Sequence, residues 1–225
     1  MKISRRTANG QTSFLVADLP APLADAARGL YFAETPDGWA KTWPADTVGL
    51  DSIYLNFERL APDMIFQTAH TQPVPWDKAL DAFLRIVGNE PIDWWLAGST
   101  ALSIRGMSIE PRDLDIITDG RGAARLGELL ADHLVEPVLC HDGWIARWWG
   151  RAFLHARIEW VGDVLPEVDD GNPTDFGPYA AASLEAITWQ GHTLRLPPLD
   201  LQLAVTRRRG LTERVGIIER FLAGK

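Results

Sequence analysis

The chain has 225 residues, of which 46% are hydrophobic, so it is long enough to bury one large core, or a core and an appendage. Its formal net charge of −8 argues against a general nucleic-acid-binding surface, which would need a basic stripe. Cys140 is the single cysteine, which excludes an internal disulfide and a cysteine metal cluster. Residues 1–10 lack the apolar stretch of a signal peptide, and no apolar run reaches the length of a membrane span, so we expect a cytoplasmic protein without a membrane partner.

Residues 1–75 are predicted to form short strands and turns with one helix. Ala21–Gly29 follows a proline and favours that helix, while Leu30–Ala33 and Trp39–Trp43 are predicted to pair as a hairpin. Asp51–Arg59 mixes polar and apolar residues without a clear period. No chemical motif lies in this region, and the sequence does not choose between a substrate-recognition appendage and a dimer surface.

A helix and a strand are predicted to lead into a glycine turn. Apolar residues recur at helical spacing over Trp76–Val87, and the apolar strand Asp93–Ala97 follows. The next residues, Gly98 and Ser99, predict a turn that opens a short helix over about Thr100–Arg105. Backbone N–H groups at the start of a helix favour an anion such as a phosphate.

The next predicted strand carries two aspartates, Asp113 and Asp115, separated by one residue. On a strand this spacing points both carboxylates to one face, and Leu114 and Ile116 point to the other. Two unpaired carboxylates side by side repel each other, so the arrangement is costly without a cation. Mg²⁺ takes one or two carboxylates together with substrate phosphates, and the pair next to a phosphate turn therefore indicates nucleotide chemistry.

The Gly98-Ser99 turn, the short helix and the Asp113-Leu114-Asp115 strand, in this order, resemble the motif of the nucleotidyltransferase superfamily. That superfamily includes DNA polymerase beta and the antibiotic adenylyltransferases. The two tryptophans before the turn and Arg112 before the aspartates are most similar to the aminoglycoside and lincosamide nucleotidyltransferases.

The resemblance is good over about residues 92–119 and does not extend to residues 1–75. It implies an α/β (α+β) fold, with a small mixed sheet of the nucleotidyltransferase type and flanking helices. We expect an N-terminal strand-rich appendage of unknown role over 1–75 and a catalytic core over 76–165. A loop, a hairpin and C-terminal helices are expected over 166–225.

The superfamily places a third metal carboxylate on a strand beside the aspartate pair, and Phe153–Val161 is predicted to be that strand. Glu159 is the candidate ligand, and Asp163, which has the same parity, is the alternative. Glu159 can also be interpreted as the partner of Arg157 in a simple ion pair. His155 shares the parity of Glu159 and is the one histidine expected near the site.

The remaining elements are predicted from periodicity and turn residues. Before the Glu159 strand, Arg121–Leu134 is predicted to be a helix, and Trp144–Trp149 a strand after a turn at His141–Gly143. After it, Pro166–Pro178 is interpreted as a solvated loop. The last predicted elements are a hairpin and two helices: Leu184–Trp189, His192–Leu196, Leu199–Arg208 and Leu211–Leu222.

The resemblance also implies nucleotide contacts. Gly98 and Ser99 would hold the triphosphate, and Arg112 would offset its charge or pair with an aspartate. Similar proteins end with helices whose basic residues contact the phosphates, which makes Arg208, within the run Arg207–Arg209, a candidate. The alternative is that these arginines only favour the negative end of the helix dipole.

The implied activity is transfer of a nucleoside monophosphate from a nucleoside triphosphate, with ATP the first choice, to an acceptor hydroxyl. Two Mg²⁺ ions would be held by Asp113, Asp115 and Glu159, and the acceptor would be a small molecule such as an antibiotic. The alternatives are a nucleotide-binding regulatory or toxin–antitoxin module without turnover, an enzyme that modifies tRNA or protein, and a metal-dependent phosphohydrolase. The acidic composition makes tRNA the weaker partner, and the oligomeric state is not predicted.

Overall fold

The structure is a computed structural model that describes residues 1–141 and 145–224. The predicted turn at His141–Gly143 and the start of the strand predicted from Trp144 lie in part outside the described residues. Every helix of the described residues is too short or too polar to cross a bilayer.

The N-terminal part forms a four-stranded antiparallel sheet in the order β1-β2-β4-β3. Two helices pack on it. The bounds of these elements are β1 Lys2–Ala8, β2 Gln11–Ala17, α1 Ala24–Gly29, β3 Ala33–Thr35, β4 Gly38–Pro44 and α2 Leu50–Thr68. The short helix and the hairpin of β3 and β4 were predicted, although the first strand of the hairpin begins at Ala33 and not at Leu30. The strand β1 was not predicted.

The helix α2, which has 19 residues, is missing from the sequence-based prediction. The reason is that its buried face is partly polar. Asn56 donates from Nδ2 to the carbonyl of Ala131 at 2.8 Å, and Gln67 donates from Nε2 to the carbonyl of His155 at 2.8 Å. These buried amides interrupt the apolar period from which a helix is read.

The central sheet has five strands in the order β5-β6-β9-β8-β7, in which only β6 and β9 are parallel neighbours. The prediction of an α/β chain with a small mixed sheet and flanking helices is confirmed. The bounds are α3 Trp76–Val87, β5 Trp94–Ala97, α4 Gly98–Ile104, β6 Leu114–Thr118, α5 Gly120–Leu129, β7 Leu139–Cys140, β8 Ala146–Leu154 and β9 Ala156–Val164.

The strand predicted over Phe153–Val161 is wrong at its start. The chain reverses at His155, whose φ is +61°, so that Leu154 ends β8 and Ala156 begins β9. Apolar residues alternate on both sides of this tight reversal, and no glycine, proline or asparagine marks it. His155 therefore lies at the tip of a hairpin, and the parity argument that placed it beside Glu159 is wrong.

The C-terminal part begins with a turn of helix and continues with the predicted hairpin and two helices. The bounds are α6 Pro178–Ala181, β10 Glu185–Trp189, β11 His192–Leu196, α7 Leu199–Arg208 and α8 Thr212–Ala223. Gln190 and Gly191 both have positive φ, as a two-residue hairpin turn requires.

One packed core includes buried side chains from both sides of residue 75. Phe57 and Met64 of α2 belong to the same cluster as Leu96 of β5 and Ile158 of β9. The division of the chain at residues 75 and 165 stays a prediction, but α2 packs directly on β9 of the central sheet, and the N-terminal sheet belongs to the same core.

We expect Asn56→Ala to lower the free energy of unfolding by about 0.5–1.5 kcal/mol, because the hydrogen bond from the buried Asn56 amide to the carbonyl of Ala131 is lost. Urea denaturation measures the loss. The control is Asp63→Ala on an exposed position of the same helix, which should change stability by less than about 0.5 kcal/mol. Equal effects of the two substitutions would contradict this explanation of α2.

Candidate active site

Three carboxylates meet at the end of the parallel strand pair. In the register of β6 and β9, Asp115 lies directly beside Glu159. Asp113, two residues earlier, presents its carboxylate to the same place, and one oxygen from each of the three lies within 4.8 Å of the others. This carboxylate cluster is the arrangement of oxygen donors that a divalent cation such as Mg²⁺ prefers.

The turn at Gly98 is shaped around Asp115. The φ of Gly98 is +62°, and a Cβ on this residue would lie 2.1 Å from Oδ2 of Asp115. Only glycine leaves room for the carboxylate there. Next to it, Thr100 donates from Oγ1 to the carbonyl of Asp113 at 2.7 Å, which fixes α4 against the start of β6. Ser99 is buried at the beginning of α4.

Burial and like charge act on the carboxylate cluster. Burial raises the pKa of Asp115 well above its ordinary value, and the charges of Asp113 and Glu159 raise it further. Burial also raises the pKa of Glu159, but Arg151 and Arg157 lower it more, so that it lies below the ordinary value. The cluster therefore holds more negative charge than its surroundings solvate, and this is the condition in which carboxylates bind a cation.

Arg157 is the cation that the cluster contains in this chain. Its guanidinium pairs with Asp113, and its Nε lies 3.4 Å from Oε1 of Glu159. A divalent ion bound by the same carboxylates must compete with this arginine for their charge. Nε of Arg157 is buried without a hydrogen-bond partner among the described residues, so the pairing is incomplete.

A cavity of about 270 Å³ opens beside the cluster. Asp115 and Glu159 form part of its wall, and Gly98 borders it. Its apolar wall is formed by side chains that can contact a flat ring: Ile117, Ile145, Trp149, Val161, Phe176 and Val205. Arg209 and Asp175 add one positive and one negative group. The cavity thus combines acidic, basic and apolar surfaces of the kinds that a metal-bound nucleotide requires.

Asp175 and Arg209 are charged residues of the cavity that were not among the predicted site residues. Asp175 lies in the predicted solvated loop, yet burial raises its pKa, while Arg209, the side chain of Gln202 and the backbone of Gly98 lower it. No sequence signal distinguishes this aspartate from the other acidic residues of the loop. Arg209 belongs to the predicted arginine run, but the sequence favoured its neighbour Arg208.

The other predicted site residues lie outside the cavity. Arg112 is exposed and borders a different cavity with His70 and Glu110. Arg208 donates to the carbonyl of Pro173. Asp163 accepts a hydrogen bond from the backbone N–H of Gly120 at 2.7 Å, at the start of α5. The structure brings Glu159, and not Asp163, to the aspartate pair.

No protein-family model and no curated protein matches this chain. Among solved structures, it is similar to a Thermotoga maritima protein described as a candidate nucleotidyltransferase, with 19% identity, a TM-score of 0.49, and 69% of this chain and 99% of that chain covered. It is also similar to the lincosamide antibiotic adenylyltransferase LnuA, solved with lincomycin bound, with 17% identity, a TM-score of 0.40, and 56% and 83% covered.

We expect Gly98→Ala to weaken Mn²⁺ binding by at least about tenfold, or about 1.4 kcal/mol, because the added Cβ must displace Asp115. Isothermal titration with MnCl₂ measures the affinity. Gly10→Ala is the matched control: its φ is +71° and nothing lies within 4 Å of its added Cβ. Both variants should lose about 1–2 kcal/mol of stability through backbone strain, but only Gly98→Ala should lose metal affinity. Wild-type affinity in Gly98→Ala would contradict the assignment.

We expect Arg157→Gln to tighten Mn²⁺ binding by at least about tenfold, because a unit positive charge on the order of 5 Å from a divalent ion, at an effective dielectric constant of about 20, opposes its binding by roughly 7 kcal/mol. The free protein should melt at a lower temperature, since its carboxylates lose their partner, and Mn²⁺ should restore more stability than in the wild type. Arg147→Gln, at an exposed position of β8, controls for the change in net charge. Weaker binding in Arg157→Gln would show that the arginine supports the cation and does not compete with it.

Proposed function

We propose that this chain is a metal-dependent nucleotidyltransferase that transfers a nucleoside monophosphate from a nucleoside triphosphate, ATP first, to the hydroxyl of a small acceptor. The observation that carries the proposal is the convergence of Asp113, Asp115 and Glu159 within 4.8 Å, next to the Gly98 turn and the cavity. A structural role would not require three carboxylates of like charge at one partly buried place.

The donor set fits Mg²⁺, since it consists of carboxylate oxygens and the fold leaves room for the Asp115 carboxylate only because residue 98 is glycine. Asp113, Asp115 and Glu159 would hold the metal. Bound there, it would supply positive charge to the oxygens of the triphosphate and of the acceptor.

Other residues at the cavity would contact the base and the triphosphate of the nucleotide. Trp149 and Phe176 offer aromatic faces on which a base can stack. Gly98 and Ser99 would approach the triphosphate with their backbone, and Arg209 would neutralise part of its charge. The contacts predicted for Arg112 and Arg208 stay predictions, and each would require the side chain to leave its place in this structure.

The reaction forms one bond and breaks one. The acceptor oxygen bonds to the α-phosphorus, the bond from that phosphorus to the bridging oxygen breaks, and pyrophosphate leaves. The hydroxyl proton would go to a carboxylate oxygen of Glu159, which its lowered pKa keeps ionised. Since a lowered pKa also makes Glu159 a weak base, the transfer would depend on an acceptor hydroxyl whose own pKa is lowered by the charge of the metal. Arg157 and Arg151, which pair with Glu159, keep the carboxylate in place.

The test is calorimetric titration of ATP, GTP, CTP and UTP with Mg²⁺ and with EDTA, on the wild type and on Asp115→Asn. We expect binding that requires Mg²⁺ and that the substitution weakens by at least about tenfold, or about 1.4 kcal/mol. Asp63→Asn, at an exposed position, is the matched control. Asp115→Asn should not unfold the protein, because it removes a buried carboxylate that its neighbours repel.

The product of turnover separates the proposal from its alternatives. Release of pyrophosphate from the bound nucleotide in the presence of an acceptor supports nucleotidyl transfer. Release of orthophosphate would indicate a phosphohydrolase. Nucleotide binding that persists in EDTA and in Asp115→Asn would indicate a binding module without turnover and would contradict the proposal.

A further inference from the structure

A row of buried charges of alternating sign connects the N-terminal sheet to the carboxylate cluster. Lys41 of β4 contacts Oε1 of Glu136, and Nη1 of Arg151 contacts the same oxygen. On its other side, Nε of Arg151 donates to Oε1 of Glu159 at 2.5 Å. The side chains of Lys41, Glu136 and Arg151 are 6%, 5% and 0% exposed, so water screens the contacts among these three side chains little, whereas the side chain of Glu159 is 21% exposed.

Within this row, Arg151 is in contact both with the central sheet and with residues of the N-terminal part. The register of β8 and β9 sets it beside Glu159. From the N-terminal half, the carbonyl of Leu30 accepts from Nη1 at 3.2 Å, and the Tyr31 ring lies 5.8 Å from the guanidinium carbon. The Trp149 ring lies 4.6 Å from the same carbon. With its place fixed in this way, Arg151 divides its charge between two carboxylates, Glu136 and Glu159.

The way in which Arg151 divides its charge determines how much negative charge of Glu159 is available to a metal ion. Burying an ion pair costs several kcal/mol of desolvation, and well-packed apolar side chains in the same place would not have this cost. A gain in stability therefore does not by itself explain the row. A carboxylate that is strongly paired with a guanidinium has less charge for a cation, and a second carboxylate on the same guanidinium relieves this competition.

We propose that Glu136 and Lys41 are positioning residues that act through Arg151 to set the affinity of Glu159 for a divalent cation. Glu136 draws the guanidinium away from Glu159, and Lys41 limits how strongly it does so. The N-terminal sheet, which has no catalytic motif of its own, thereby becomes part of the metal site. This inference rests on the proposed function of the carboxylate cluster as a metal site.

The alternation of charge predicts that the sign of the effect alternates along the row. Removing the charge of Lys41 strengthens the pairing of Glu136 with Arg151, frees Glu159 and tightens metal binding. Removing the charge of Glu136 leaves Arg151 to Glu159 alone and weakens metal binding. A purely structural role has no such alternation, since either substitution would only destabilise the protein.

The experiment titrates Mn²⁺ into the full chain at pH 7, where Lys41, with a pKa of about 8, carries its charge. Free Mn²⁺ is followed by electron paramagnetic resonance. We expect Lys41→Met to bind Mn²⁺ about two- to tenfold more tightly and Glu136→Gln about two- to tenfold more weakly, which is the lower part of the range of couplings within one charge network. Thermal unfolding is recorded for each variant.

Three further variants keep the test decisive. Lys41→Arg keeps the charge and should retain the wild-type Mn²⁺ affinity. Arg6→Gln breaks an exposed ion pair with Asp37 at the same sheet and should leave the affinity unchanged. If Glu136→Gln fails to fold because two cations are left with too little negative charge, the double variant Lys41→Met/Glu136→Gln takes its place. Because Lys41 acts on Arg151 through Glu136, the double variant should also bind Mn²⁺ about two- to tenfold more weakly than the wild type.

The outcomes separate this inference from the function on which it rests. Shifts of the same sign in the two single variants, or no shift in Lys41→Met, with Mn²⁺ still bound by the wild type, overturn the role of the row and leave the metal site in place. A double variant that binds Mn²⁺ as tightly as the wild type, or more tightly, overturns it as well. A wild-type protein that does not bind Mn²⁺ overturns both the metal site and this inference.

Discussion

The repulsion among Asp113, Asp115 and Glu159 is the constraint on which the rest of this structure depends. The parallel pairing of β6 with β9 forces two of these carboxylates side by side, and burial removes the water that would separate their charges. Two arginines pair with these carboxylates: Arg157 with Asp113, and Arg151 with Glu159. Neither neutralises all three carboxylates, and the remaining negative charge is what a cation would bind.

This constraint explains features that are otherwise unconnected. A glycine with positive φ stands at residue 98 because any side chain would strike the Asp115 carboxylate. An arginine is fully buried in the middle of a strand because Glu159 on one side and Glu136 on the other pair with it. Lys41 reaches the same pair from the N-terminal sheet. Each of these buried charges would cost free energy of desolvation by itself, and each is stabilised by the opposite charge beside it in the row.

The sequence located most of the regular elements but not the contacts between distant ones. The helix Trp76–Val87 and the last hairpin follow from periodicity and turn residues, which act locally. The helix α2 was not predicted because the buried Asn56 and Gln67 interrupt its apolar face. Both side chains donate hydrogen bonds to carbonyls in distant parts of the chain. The reversal at His155 escaped because the alternation of apolar residues continues across it. Asp175 escaped because its burial depends on the packing of a loop that has no pattern.

By itself, the sequence determined the motif: a glycine turn, a short helix and two aspartates of one parity on a strand, since backbone geometry alone points both side chains to one face. Only the tertiary structure decided which third carboxylate joins them. Glu159 and Asp163 have the same parity, and the register of two strands that are distant in sequence brings one to the pair and leaves the other at a helix start. The tertiary structure also connects Lys41 and Arg151 to Glu159 through a row of ion pairs, because a buried charge is paired with groups that are near in space and not at any fixed spacing along the chain.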